Sequence, residues 1–422
     1  MRPLIEYFYL LVILAMVTIM PRVTCWNDAS RMATVQSLVE KQSFIIDSSV
    51  FVNTGDKVFI KGHFYSDKLT LPSMLGAVIY LPLHYTGLKL SYGWNLAYYL
   101  IILLTVKLFW LFGLVAFYFS LEYCNLDDKG RLWLTAALGF ASLYFTWSST
   151  FNNHSLAASQ LIIGFYFLLK AKFSGSPGKN LFFSGFFLSL AGATDVPIGL
   201  FYVLFSFYII FNPDLRKKIG FYLIPVFFTV FPTFIVNYYI SGSFVPVKMV
   251  KAYFQYPFSP WVGSNNLSGM KINQGMFFLS YSFHTLIGKN GFLLYNPLLF
   301  LALPYLVRET GKNHKFRFEA LIISIASIII VLYYLLFTNN YGGSSYSIRW
   351  FVPLLPLLFF FIHPFFENFT LIKKRIFLTL FSISSIISCI GLITPWSSSF
   401  LSKIPLLSNL KLFRIILQKI AY

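Results

Sequence analysis

Eleven apolar runs separated by short polar connections constrain this chain more than any other feature. They fall near 4–20, 94–122, 132–149, 156–170, 181–193, 197–212, 219–240, 291–307, 320–337, 350–365 and 376–394. Crossing a bilayer takes about 20 mainly apolar residues in a helix, since amides and carbonyls inside the hydrocarbon must bond within their own segment. Over 422 residues the pattern predicts an all-α polytopic membrane protein, one integral domain over 1–422 with about 11–12 transmembrane helices and no separate soluble domain.

A mean hydropathy of +0.70 agrees with this, as does a content of 57% hydrophobic and 11% charged residues. The net charge of +19 does not argue for nucleic acid. Lys and Arg are scattered through the connections and build no basic domain, so membrane lipid is the expected counter-charge. Cys25, Cys124 and Cys389 lie too far apart in kind and place to suggest a disulfide framework or a metal site.

The first run resembles a signal sequence, but Glu6 interrupts it and many runs follow, so a retained first helix is expected. The shorter run Pro72 to Tyr85 reads as a re-entrant or interfacial helix. With that segment not crossing and the N-terminus inside, the short basic connections all fall on the inside. They are those at Lys129 and Arg131, Lys170 to Lys179, Arg216 to Lys218, Arg308 to Arg317, and Lys373 to Arg375. The other face then receives 21–90, the loops around Asn153 and Asp195, 242–290, and 338–349. The tail 396–422 has Leu and Ile at helical spacing among Lys403, Lys411, Arg414 and Lys419. It is expected to be an interfacial helix, or else a last tilted span.

Five of the fourteen carboxylates, Asp28, Glu40, Asp47, Asp56 and Asp67, crowd into residues 27–68. Charge beside hydrocarbon is costly unless it is solvated, paired or functional. From Asp28 onward, Met32, Val35, Leu38 and Val39 share one helical face, which marks an interfacial helix. Asp28 is either its N-cap with Arg31 as local ion partner, or a general base or metal ligand for an attacking hydroxyl. Thr54-Gly55-Asp56-Lys57 and Gly62 to Lys68 read as a hairpin-like loop. Lys68, at the lip of the 72–85 segment, either snorkels or holds a phosphate. Asp56 and Asp67 belong either to loop structure or to substrate contact. His154 is a metal ligand, a base or a structural histidine, and Asp195, ahead of Pro197, is a carboxylate for chemistry or a helix cap. Tyr253, Tyr256, Phe258, Trp261, Asn265, Asn266, Asn273 and Gln274 suit either sugar recognition or an aromatic belt. Asn153-His154-Ser155 and Asn266-Leu267-Ser268 match the glycosylation pattern.

The series Asn27-Asp28-Ala29-Ser30-Arg31-Met32-Ala33, Thr54-Gly55-Asp56-Lys57 and Tyr65-Ser66-Asp67-Lys68 resembles the first external loop of the GT-C membrane glycosyltransferases. The nearer likeness is to the branch of protein O-mannosyltransferases and lipid A aminoarabinose transferases. Tyr341-Gly342-Gly343-Ser344-Ser345-Tyr346-Ser347-Ile348-Arg349-Trp350 is similar to a Gly-Gly-x-x-Tyr-Gly-x-Arg-Tyr segment of bacterial members. The resemblance implies Asp28 as the catalytic Asp, Arg31 as its neighbour, and Lys68, Arg349 and Arg31 as contacts to a donor phosphate. Tyr65, Tyr346, Asp56, Asp67, His154 and Asp195 are further candidates. It also implies a polyprenyl-phosphate-linked sugar donor, a glycan, lipid or protein acceptor, a divalent metal at Asp28 and His154, and an active site on the external face of a cytoplasmic membrane. Two departures stand out. Leu69-Thr70-Leu71-Pro72 replaces the Pro-Pro after Lys68, and 148–155 lacks the second carboxylate. A lipid or polysaccharide transporter and a non-catalytic relative are the alternatives.

Overall fold

The computed structural model describes residues 2–262, 272–397 and 402–420. In chain order the helices begin with α1 (Arg2–Val17), α2 (Trp26–Glu40), α3 (Thr70–Tyr85), α4 (Leu96–Ile102), α5 (Leu108–Ser120), α6 (Asp128–Phe140), α7 (Leu143–Trp147), α8 (Asn153–Phe173), α9 (Pro177–Thr194) and α10 (Gly199–Phe211). They continue with α11 (Ile219–Leu223), α12 (Val226–Thr229), α13 (Phe231–Ser241), α14 (Gly275–Leu286), α15 (Leu299–Glu309), α16 (Arg317–Phe337), α17 (Leu355–Phe360), α18 (Leu371–Ile393) and α19 (Pro405–Ile420). A π-helical turn, Leu103–Lys107, joins α4 to α5. Every apolar run carries helix. Among the described residues six segments are long and apolar enough to cross a membrane: Leu96–Cys124, Asn153–Phe173, Arg216–Ser241, Arg317–Phe337, Arg349–Phe366 and Leu371–Ile393. The chain is an integral multi-pass membrane protein. Several remaining runs are broken or shorter, as where α6 gives way to α7 at Ser142, whose hydroxyl caps the new helix.

Helix α3, the 72–85 segment, is not among the six, and neither is α19, which docks where the Tyr295 hydroxyl meets the Leu406 amide. The expected hairpin is present: β1 (Lys57–Ile60) pairs antiparallel with β2 (His63–Ser66), Val58 opposite Tyr65, around a Lys61-Gly62 turn. Of the 242–290 candidates, Asn265 and Asn266, with the second glycosylation pattern, lie outside the described residues.

Three buried clusters organise the molecule. The largest runs through α5 to α10 and α15 to α17 and takes in Leu11 and Ala15 of α1. A second, with Met32, Val35, Tyr80, Tyr98, Ile101 and Phe151, fastens α2 against α3 and α4. The third packs the hairpin (Val58, Ile60, Tyr65) on Ile240, Val247 and Phe254. Thus α2, which carries the Asp28 motif, is held from both sides.

Close helix approach in α9 depends on Gly185, where a Cβ would overlap the backbone carbonyl of Tyr222 in α11. Backbone cannot yield as a side-chain tip can. We expect Gly185→Val to cost about 3 kcal/mol, read as a lowered melting temperature in detergent. Gly220→Ala, where nothing stands within 4 Å of the added Cβ, should leave melting unchanged.

Candidate active site

Helix α2 starts with Cys25 as its N-cap, the thiol sulfur accepting from the Asp28 amide at 3.3 Å. Asp28 is therefore inside the first turn, and the expectation that it caps the helix is corrected. Arg31 is not its ion partner either. Arg31 Nη1 bonds the carbonyl and the side-chain oxygen of Asn27, and Nη2 donates to Asn153 Oδ1 at 2.7 Å. Asn153 is thus a buried anchor at the start of α8, which rules it out as a glycosylation site in the folded chain.

Asp28 is wholly buried. Its Oδ2 accepts from the Tyr98 hydroxyl at 3.1 Å, while Oδ1 has no hydrogen-bond partner. Burial pushes the carboxyl up to about 7, outweighing the opposing pull of Arg31 and of the Tyr98 and Cys25 contacts. Burial, then the nearby Arg349 charge, lowers the Arg31 guanidinium. Asp67 is raised by burial against the pull of Lys68. Lys68 itself is clamped between Asp56 (2.8 Å) and Asp67 (2.9 Å). Asp56 and Asp67 are thus the ion partners of Lys68.

Lys68 lines a cavity of about 610 Å³ together with Arg31, His154, Asp195, Lys248 and Arg349. These six residues come from six separate stretches of sequence. Asp28 does not line it, although Asn27 and Arg31 of the same helical turn do. The imidazole of His154 donates through Nδ1 to Asp195 Oδ2 at 2.6 Å. Asp195 provides no helix cap. Its carboxylate is spent on His154, whose Nε2 receives Arg349 Nη1 at 3.4 Å.

Arg349 is steered by the Gly342-Gly343 turn. Its Nε donates to the Gly342 carbonyl at 3.0 Å, and its guanidinium lies 5.0 Å from the Trp396 ring centre. Gly342 has φ +84°, and a Cβ there would press on the Arg349 side chain at 3.3 Å, so the position needs glycine on both counts. Tyr346 from the same motif is buried, its hydroxyl donating to the Ile387 carbonyl, and it lies outside the cavity lining. Tyr65 packs within the hairpin cluster and likewise lies outside that lining. Neither hydroxyl faces that cavity. Asn273 bonds the carbonyls of Leu335 and Thr338 and ties α14 to the end of α16.

Lys248, which the sequence motifs did not single out, lines both this cavity and an adjoining one of about 410 Å³. The second is apolar, bounded by Gly192, Val203, Val226, Val230, Phe234 and Phe244, and meets the first at Asp67, Lys68 and Leu69. Its walls come from α9, α10, α12 and α13, and it touches α3 only at Thr70. A cavity that carries Arg31, Lys68, Lys248 and Arg349 and opens into an apolar one fits an anionic headgroup with a long hydrocarbon tail.

Among the described residues no set of three or more His, Cys, Asp or Glu side chains is placed to hold a metal ion. Asp28 and His154 each face their own partner, Tyr98 and Asp195. Asp28 and His154 therefore form no shared ligand set in this arrangement.

No protein-family model and no curated protein sequence matches the chain. Among solved structures it is similar to ArnT from Cupriavidus metallidurans bound to undecaprenyl phosphate, with TM-score 0.57 and 13% identity over 96% of this chain and 77% of that one. The apo state gives 0.56 and 12%, over 96% and 76%. The oligosaccharyltransferase AglB from Archaeoglobus fulgidus, in complex with an inhibitory peptide and a dolichol-phosphate, gives 0.51 and 11% over 92% of this chain and 55% of its own length. The helix order, the loop-borne site and these likenesses agree: the chain has the GT-C fold of membrane glycosyltransferases.

Proposed function

We propose that this protein is an inverting membrane glycosyltransferase that moves a sugar from a polyprenyl-phosphate donor to an acceptor at the external face of a cytoplasmic membrane. The observation that carries the reading is the junction of the two cavities: Lys68 and Lys248 stand where the cavity that holds Arg31 and Arg349 opens into the apolar one. A lipid phosphate at that junction places its tail among α9, α10 and α13 and its sugar beside His154 and Asp195. Undecaprenyl phosphate in the ArnT neighbour and dolichol-phosphate in the AglB neighbour are ligands of the same chemical kind.

In this reading the acceptor hydroxyl gives its proton to a carboxylate while its oxygen attacks the anomeric carbon. The bond from that carbon to phosphate oxygen breaks, and the cations take up the charge on the departing phosphate. Asp28 is assigned as the proton acceptor, with its unpartnered Oδ1 as the accepting atom. A second acceptor has one observation in its favour: His154 lines the cavity and Asp28 does not.

With the Asp28 carboxyl near 7, it is largely protonated and idle as a base at lower pH, and charged above that value. Transfer should therefore rise about tenfold per pH unit below the midpoint near 7 and level off above it. A rate profile flat through that interval contradicts the assignment. The function itself is tested by purified protein in vesicles with a labelled polyprenyl-phosphate sugar. A new glycosidic bond on an acceptor is expected. Movement of the intact donor across the vesicle membrane with no bond formed would identify a transporter.

A further inference from the structure

Lys107 is a lysine wholly buried in the span Leu96–Cys124. It lies eleven residues beyond Leu96, about 16 Å along the helix and so near mid-bilayer. Its ammonium has no carboxylate partner among the described ion pairs. It donates to Thr18 Oγ1 at 2.7 Å and Ser148 Oγ at 2.9 Å, with the ring centres of Trp110 at 5.0 Å and Phe145 at 5.1 Å. It is also the last residue of the π-helical turn, where the ladder is locally widened, a feature concentrated at functional positions.

Two hydroxyls and two ring faces are thin compensation for taking an ammonium out of water, and a methionine of similar length would pack there without that cost. The partners show what the charge achieves. Thr18 follows α1, on the chain that leads to α2 and Asp28. Ser148 follows α7, on the chain that leads to Asn153 and His154. Lys107's own span begins with α4, whose Tyr98 holds Asp28. One ammonium therefore ties together the three segments that deliver Asp28, Tyr98 and His154.

We infer that Lys107 is a positioning residue, a mid-membrane post that sets the Asp28 loop and the His154 loop in register for transfer. This rests on the reading of the site as a glycosyltransferase centre. A fixed amine bonded to Thr18 and Ser148 holds two chain segments at once, which an apolar side chain does not do.

The test compares wild type, Lys107→Met and Lys107→Arg as full-length protein in nanodiscs. Lys107→Met should melt at or above the wild-type temperature, since it removes a buried charge. Amide exchange in residues 18–28 and 148–154 should quicken about tenfold, reporting local opening, with the rest of the molecule unchanged. Its kcat should fall about 100-fold with donor KM nearly constant, the signature of misplaced groups and not of lost binding. Lys107→Arg should recover part of the loss. Unchanged exchange in both segments overturns the inference, and so does faster exchange throughout with a lower melting temperature, which would make Lys107 a plain fold contact. Wild-type protein that neither binds undecaprenyl phosphate nor transfers sugar removes the glycosyltransferase reading, while the exchange comparison still decides the positioning role.

Discussion

Asp28→Asn should reduce transfer by about 10³-fold while leaving expression and undecaprenyl phosphate binding close to wild type. The amide keeps the shape of the carboxylate and can still accept from the Tyr98 hydroxyl, which donates to Oδ2 at 3.1 Å. It loses only the capacity to take a proton. Stability should not fall, because burial opposes the charged form at this position, and a neutral group pays no such desolvation. The variant also separates the two proton acceptors. If Asp28→Asn keeps full transfer and His154→Ala abolishes it, the base is the imidazole held by Asp195 and not the Asp28 carboxylate.

The second large effect is expected at Arg349. Arg349→Ala should weaken undecaprenyl phosphate binding by about 30-fold, the equivalent of roughly 2 kcal/mol for a lost charged hydrogen bond. It should lower kcat as well, because stabilising the departing phosphate matters most in the transition state. Arg349→Lys should not restore function. A lysine reproduces the charge but not the planar fork that bonds Gly342, reaches His154 and lies on Trp396. Titration of each variant with undecaprenyl phosphate, followed by tryptophan fluorescence or calorimetry, provides the measurement. Equal affinity in wild type and Arg349→Ala would remove Arg349 from the phosphate site.

The helical, membrane-spanning architecture is legible in the sequence because hydrophobic run length is a direct consequence of the bilayer. The convergence of Arg31, Lys68, His154, Asp195 and Arg349 on one cavity was anticipated only as a shared side of the membrane. What could not be read were pairings set by tertiary packing. Cys25 takes the cap position because its backbone is extended there and its thiol reaches the Asp28 amide. Asn153, which matches a modification pattern, is consumed by Arg31. Asp195 turns from the next helix to His154 over a separation of 41 residues that no local signal encodes. Tyr346 carries part of a motif yet serves the packing against α18.

Lys248 was missed for a related reason. It stands in a short 3-10 turn, Val247–Met249, with no motif of its own, and becomes meaningful only where the fold sets it at the junction of two cavities. Its signal in the sequence was a cation in an aromatic external loop, which many interfacial lysines share. Lys107 stands in the middle of the apolar run 94–122, but its partners Thr18 and Ser148 lie 89 and 41 residues away.

The account stands most directly on where a lipid phosphate binds. A structure of the full chain with undecaprenyl phosphate in a nanodisc should show the phosphate among Lys68, Lys248 and Arg349, with the prenyl chain between α9, α10 and α13. A phosphate bound away from all three cations, or a tail lying outside the apolar cavity, would contradict it.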